Sequence, residues 1–152
     1  DLWKEPGMFP DQYSFSSLAN ALCRSDRLEE ACDVLHQMRS TGLVPGVVVY
    51  NVLLNGTVQS RNQYVADLLI RQMEIDGVPF DEDTLITLLR LATLENSADA
   101  VTRVWGDAAR RLAVSGGVVS RAAISRLAVS YTKCLRPDLA TNALRVLSKL
   151  SE

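Results

Sequence analysis

What is scarce in these 152 residues narrows the chemistry first. There is one histidine, His36, and there are three cysteines, Cys23, Cys32 and Cys134, with no CxxC pair. An odd, scattered set of cysteines supports neither a disulfide framework nor a zinc site. They read as small apolar core residues, as a reducing compartment allows. A histidine with no Cys, Asp or Glu at ligand spacing reads as surface. No nucleophile–base pair, H-E-x-x-H, P-loop or Rossmann glycine pattern occurs. No enzyme, metal, cofactor or small-molecule substrate is therefore expected. No apolar run is long enough to cross a bilayer, so membrane insertion is not expected either. The opening DLWKEPG lacks the basic, apolar and small-residue regions of a signal peptide.

Charge of one sign is also missing. The net charge is −2 with a pI near 5.4, which gives no global pull on nucleic acid. The distribution is uneven. Residues 1–120 carry 10 basic and 16 acidic groups, whereas residues 121–152 carry six basic groups against Asp138 and Glu152. Six charges on helix faces read first as solvated surface.

What is present is a period. Gly7, Gly42 and Gly77 are 35 residues apart, as are Phe15, Tyr50 and Leu85, and Leu18, Leu53 and Leu88. Pro10-Asp11, Pro45-Gly46 and Phe80-Asp81 keep the same interval, and Trp3, Met38 and Met73 align with it. Several registers sharing one spacing make a repeat.

Each repeat reads as a helical hairpin. Phe15, Leu18, Ala19 and Leu22 recur at helical spacing, then Ser25-Asp26-Arg27 interrupts. Asp26 with Glu29 resembles a capping box opening a second helix, whose face is Leu28, Ala31, Leu35 and Met38. Gly42 and Pro45 end it. The stretch GVVVYNVLL, residues 46–54, has strand-like composition. Yet Tyr50, Leu53, Leu54 and Thr57 occupy the places of Phe15, Leu18, Ala19 and Leu22, so a helix is expected there. Its valines cost a few tenths of a kcal/mol each in propensity, which burial should exceed. A third repeat has Leu85, Leu88, Leu89 and Ala92, then Val101, Val104, Trp105 and Ala108, and is about four residues longer, roughly one turn. The fourth has Ile124, Leu127, Ala128 and Tyr131, a helix start at Pro137, then Ala140, Ala143, Leu144 and Leu147. The expected organisation is one solenoid segment over 1–152. It comprises the end of a repeat at 1–11, repeats at 12–46 and 47–81, a longer divergent repeat at 82–120, and a divergent partial repeat at 121–152. Both ends fall inside repeats, so a longer array is expected.

A 35-residue hairpin with Tyr-Asn early in its first helix, glycine after its second and Pro-Asp at its end resembles the pentatricopeptide repeat family. SFSSLANALCRSDRLEEACDVLHQMRSTGLVPG at 14–46 and VVYNVLLNG at 48–56 carry the resemblance, which is specific over 1–81 and weaker beyond. The W-x-x-L-G-x-x-Y signature of the 34-residue tetratricopeptide unit is absent.

The resemblance implies an all-α, right-handed solenoid that binds single-stranded RNA in a mitochondrion or chloroplast. Such a protein reads roughly one base per repeat. It also implies a reading pair, formed by the residue after the first helix's aromatic and the last residue of the repeat. Carried over, the pair is Asn51 and Asp81, of a type that prefers uracil, with Val48 packing on the base. In the preceding repeat it is Ser16 and Gly46 with Tyr13, and Gly46 has no side chain to offer. Asp11 closes the first fragment. The third repeat has Ile86 at the reading position, which cannot hydrogen-bond, and the fourth has Ser125. Arg24 takes a place that is often basic and could meet phosphate; Gln59 and Leu94 are its uncharged counterparts. Plainer readings stand beside these: Asp81 as a helix N-cap, Asn51 as a solvated residue, and Tyr13, Tyr131, Trp3 and Trp105 as packing groups. The acidic balance of 1–120 and Ile86 fit a different role, a protein-binding scaffold such as a structural subunit of an organellar ribosome or another large organellar complex.

Overall fold

The computed structural model of the protein describes residues 11–150, without the side chains of Leu147 and Leu150; Trp3, Gly7 and Pro10 lie outside the described residues. Among the described residues there are eight helices and no strand. They fall into two compact units, Asp1–Val78 and Pro79–Glu152.

The first unit holds α1 (Gln12–Arg24), α2 (Leu28–Ser40), α3 (Val47–Ser60) and α4 (Gln63–Asp76). Each consecutive pair is a hairpin, and α1 also packs along α3. The valine-rich stretch is helical because Val49, Tyr50, Leu53, Leu54 and Thr57 are all buried, so packing overrides β-propensity. The seam between α1 and α3 closes on Gly56. A Cβ there would stand 2.5 Å from Cys23 Sγ, so only glycine allows the approach. Arg39 at the end of α2, Tyr50 in α3 and Asp76 at the end of α4 join in one polar cluster. Arg39 Nη2 donates to Asp76 Oδ2 at 2.6 Å, and the Tyr50 hydroxyl donates to the same oxygen. Burial, then the bond to the carboxylate, pushes the Tyr50 hydroxyl far above its ordinary range.

The second unit holds α5 (Glu82–Thr93), α6 (Ala98–Val114), α7 (Arg121–Lys133) and α8 (Pro137–Leu150), with α5 packed on α6 and α7, and α7 on α8. Leu89, Val101, Ile124, Leu127 and Tyr131 lie in its core, and Trp105 packs partly buried against it. Tyr131 is a core residue tied to Thr102 by a hydroxyl pair at 2.5 Å. Ser120, N-cap of α7, donates to Glu82, and the Arg111 guanidinium stacks 5.1 Å above the Phe80 ring.

One backbone device repeats throughout. Residues with left-handed φ fall at Asp26, Arg61, Asn96 and Leu135 inside hairpins, and at Gly42, Gly77 and Gly116 between them. The intervals are 35, 35 and 39, then 35 and 39. After most of these residues the next N–H returns to a carbonyl five positions back: Arg27 to Leu22, Asn62 to Thr57, Arg136 to Tyr131, Leu43 to Met38, Val78 to Met73 and Gly117 to Leu112. That is the Schellman closure of a helix end. The four extra residues of the third repeat therefore fall between Asn96 and Gly116, in α6. That helix has 17 residues, against 13 in α2 and 14 in α4.

Three expectations are corrected. Asp26 does not cap α2. It takes the left-handed turn position, and the N-cap is Arg27 with no side-chain bond. The cysteines are half-buried rather than core; Cys23 lies against Gly56, and Cys134, the C-cap of α7, packs at the border of the second unit's core. Leu144 lies half exposed on α8, off the face that buries Ala140 and Ala143.

Candidate functional site

Of the candidate site residues, all but Arg24 lie at the starts of the first helices of the hairpins. The last residue of each repeat is the N-cap of the next first helix: Asp11 for α1, Gly46 for α3, Asp81 for α5 and Ser120 for α7. Asp11 Oδ1 accepts from Ser14 N and Oγ, both at 2.8 Å. The backbone bond, then the side-chain bond, holds its carboxyl below the ordinary carboxylate range. Asp81 Oδ1 accepts from Thr84 N at 2.9 Å and Thr84 Oγ1 at 2.9 Å, and the Asp81 N–H donates back to Thr84. This is a capping box with threonine in the third place. Gly46 has no side-chain cap.

In the first unit, Tyr13 on α1 and Val48 on α3 occupy equivalent positions and stand 80% and 62% exposed. Tyr13 is thus no core packing group. One turn on, Ser16 is buried at 8% exposure and Asn51 is half-buried. Asn20 and Asn55 share the next position along the two helices, and Arg24 ends α1, exposed. One side of the α1/α3 layer thus carries an aromatic, an aliphatic group, amides and a guanidinium.

The second unit carries different groups at those positions. Asp83 replaces Val48, and Ile86 replaces Asn51; on α7 the two are Ala122 and Ser125. Lys133, exposed at the end of α7, matches Arg24 at the end of α1, since both helices have 13 residues. Its equivalence is invisible at a spacing of 35, because the extra turn of α6 moves it by four. Gln12 was missed as well. Its Nε2 donates to the Val44 carbonyl at 3.3 Å, and its Oε1 lies 3.0 Å from where a Cβ on Gly46 would stand. Only a three-dimensional contact across 32 residues could reveal that. His36 is exposed on α2, and no group of three His, Cys, Asp or Glu residues among those described could hold a metal ion. Among the described residues no helix is long and apolar enough to cross a membrane.

Residues 10–59, from the entry to α1 through most of α3, match the PPR repeat family. Over that third of the chain, the sequence is similar to the pentatricopeptide repeat family. It is similar to a mitochondrial pentatricopeptide repeat-containing protein of Arabidopsis thaliana, 26% identical over 74 residues, which is 49% of this chain and 14% of that protein. Among solved structures it resembles the maize pentatricopeptide repeat protein PPR10 in complex with an 18-nucleotide psaJ RNA element. The TM-score there is 0.70 at 26% identity, over 97% of this chain and 20% of that one. The pentatricopeptide domain of Arabidopsis thaliana protein-only RNase P 1, solved with tRNA, shares the fold at a TM-score of 0.71 and 17% identity. That match covers all of this chain and 78% of that one. The chain thus spans only a small part of the first two proteins.

Proposed function

We propose that this chain is part of an organellar pentatricopeptide repeat protein that binds single-stranded RNA along the α1/α3 layer. It would act there in RNA processing, stability or translation. The observation that carries this reading is the pair Tyr13 and Val48. Each is apolar and well exposed, they hold one place in successive repeats, and polar groups that can meet base edges lie one turn away. Aromatic and aliphatic groups on a groove wall offer bases a stacking surface, worth about 1–3 kcal/mol per base for a good aromatic stack. Asn51 takes a pyrimidine, since an amide offers both a donor and an acceptor. Asp81 combines a base-reading role with capping α5, and Asp11 likewise with capping α1. Arg24 meets phosphate. The RNA-bound maize structure and the mitochondrial relative support the RNA and the organelle, mitochondrion or chloroplast.

The test is titration of labelled pyrimidine-rich and purine-rich single-stranded RNA across a salt series. Binding should weaken with salt and favour pyrimidine. Tyr13→Ala with Val48→Asp should weaken it at least tenfold, and Asn51→Ala should remove the pyrimidine preference. Absence of binding at low salt rejects the reading.

A second reading has its own observation. Tyr64, Leu68 and Ile75 are exposed on one stripe of α4, facing away from buried Ala66, Leu69 and Met73. The equivalent positions of α2 are Glu29, Asp33 and Ser40. An apolar stripe where the preceding repeat is polar fits a protein-binding face of a larger organellar assembly. Binding of such a partner, abolished by Leu68→Lys with Ile75→Lys while RNA binding persists, would establish this as a separate role.

A further inference from the structure

We infer that the stripe Tyr64, Leu68 and Ile75 on α4 docks a basic amphipathic helix of a partner protein, drawn by carboxylates on both sides of the stripe. This rests on the protein-binding reading of α4 and names the chemistry of the partner.

The stripe belongs to α4 alone among the second helices of the hairpins. Its places can be counted from the left-handed residue before each helix. They hold Glu29, Asp33 and Ser40 on α2, Asp99, Arg103 and Arg110 on α6, and Asp138, Asn142 and Lys149 on α8. All of these are polar. On α4, Tyr64 and Ile75 stand 72% and 77% exposed and Leu68 44%. The core does not need them, since Ala66, Leu69 and Met73 supply the buried face. From Tyr64 to Ile75 the stripe runs three turns, about 16 Å. That is the length and spacing with which one helix anchors on another.

The surroundings set the sign of the partner. On the helical wheel Asp67 and Glu74 lie to one side of the stripe, and Gln72 and Asp76 to the other. Asp76 marks the side toward α2, because Arg39 at the end of α2 donates to it at 2.6 Å. Beyond it, α2 exposes Glu29 and Asp33. Arg27 is paired with Glu30 and Arg39 with Asp76. Arg61 and Arg71 then face Glu29, Asp33, Asp67 and Glu74. An apolar line between carboxylates favours a helix whose apolar anchors are flanked by lysine or arginine. The same carboxylates disfavour an acidic segment or a phosphate backbone.

The experiment uses the whole chain and three labelled synthetic helical peptides. They share one leucine stripe, and their flanking positions carry lysine, glutamate or glutamine. Fluorescence anisotropy should show the lysine peptide binding at least tenfold tighter than the glutamate peptide, a lead that narrows with salt. Leu68→Lys with Ile75→Lys should weaken the lysine peptide at least tenfold. Glu29→Gln with Asp33→Asn should weaken it about threefold and leave the glutamine peptide within twofold. Circular dichroism checks that each variant stays helical. Equal binding of the lysine and glutamate peptides overturns the inference and leaves the protein-binding reading intact. Lysine-peptide binding that ignores the Leu68 and Ile75 substitutions overturns it as well. Self-association of the chain that those substitutions abolish would assign the stripe to a second copy and overturn it too. Absence of binding by all three peptides at low salt overturns both this inference and the protein-binding reading.

Discussion

In the compact unit Asp1–Val78 the first helices open with exposed Tyr13 and Val48; in Pro79–Glu152 the same two places hold Asp83 and Ala122. One turn later the contrast is Ser16 and Asn51 against Ile86 and Ser125. The buried positions between them do not diverge in kind. Phe15, Tyr50, Leu85 and Ile124 are all apolar or aromatic and all buried. The left-handed closures recur in both units as well. A repeat fold is thus maintained by a few inward and turn positions, which leaves the outward ones free to differ from unit to unit. The polar ties differ too. Tyr50, Asp76 and Arg39 form one cluster in the first unit. In the second, Leu85 takes the place of Tyr50, and the ties are Thr102 to Tyr131 and Ser120 to Glu82.

The largest expected effect tests whether the valine-rich helix is held by its core. Leu53 is fully buried in α3, as Leu89 is in α5. Leu53→Ala and Leu89→Ala should each lower unfolding free energy by about 2–5 kcal/mol, read by urea denaturation. A cost under about 1 kcal/mol for Leu53→Ala alone would mean that α3 is not held by its buried face.

The helical hairpins and their 35-residue spacing were legible in the sequence, because they depend on apolar residues recurring at fixed separation. The extra turn was legible as a length, and the structure places it in α6. Two kinds of feature were not legible. Asp26 looked like a cap because its residue type suits one, but a left-handed turn residue and an N-cap draw on the same short polar side chains. Gln12 and Lys133 escaped for another reason. One depends on a contact across the hairpin, and the other on a register shifted by four residues.

The next effect probes the closest helix seam in the first unit. A methyl on Gly56 would meet Cys23 Sγ at 2.5 Å, Cys23 Cβ at 3.2 Å and Leu28 Cδ1 at 3.3 Å. Gly56→Ala should cost about 1–3 kcal/mol from overpacking, although alanine favours a helix. In a double-mutant cycle Cys23→Ala should relieve part of that cost, giving a favourable coupling. Additive costs would show that α1 and α3 do not meet there.

A smaller effect should follow from the polar cluster peculiar to the first unit. Burial would raise the Asp76 carboxyl, but hydrogen bonds from Tyr50, Arg39 and Gln72 outweigh it and hold it below its ordinary 3.8. A carboxyl depressed in the folded state stabilises the fold above its unfolded value. That stability is lost as pH falls through the folded value. Asp76→Asn should therefore cost about 1–2 kcal/mol at neutral pH, discounted because Arg39 is partly solvated. The deficit should shrink as the pH falls below about 3.8, where the native carboxylate also protonates. A deficit that stays constant from pH 7 to pH 2 would assign the loss to packing rather than charge.

The smallest effect has the opposite sign and separates the two units most simply. Gly106 lies inside α6, exposed, and a Cβ built on it meets nothing within 4 Å. Its backbone is ordinary helix, so glycine there only adds freedom to the unfolded chain. Gly106→Ala should stabilise the protein by about 0.5–1 kcal/mol, raising the urea midpoint with an unchanged slope. Gly56→Ala, the same substitution in the other unit, should lower the midpoint. If both substitutions move it in the same direction, helix propensity rather than close approach governs these glycines, and the α1/α3 seam is looser than its geometry indicates.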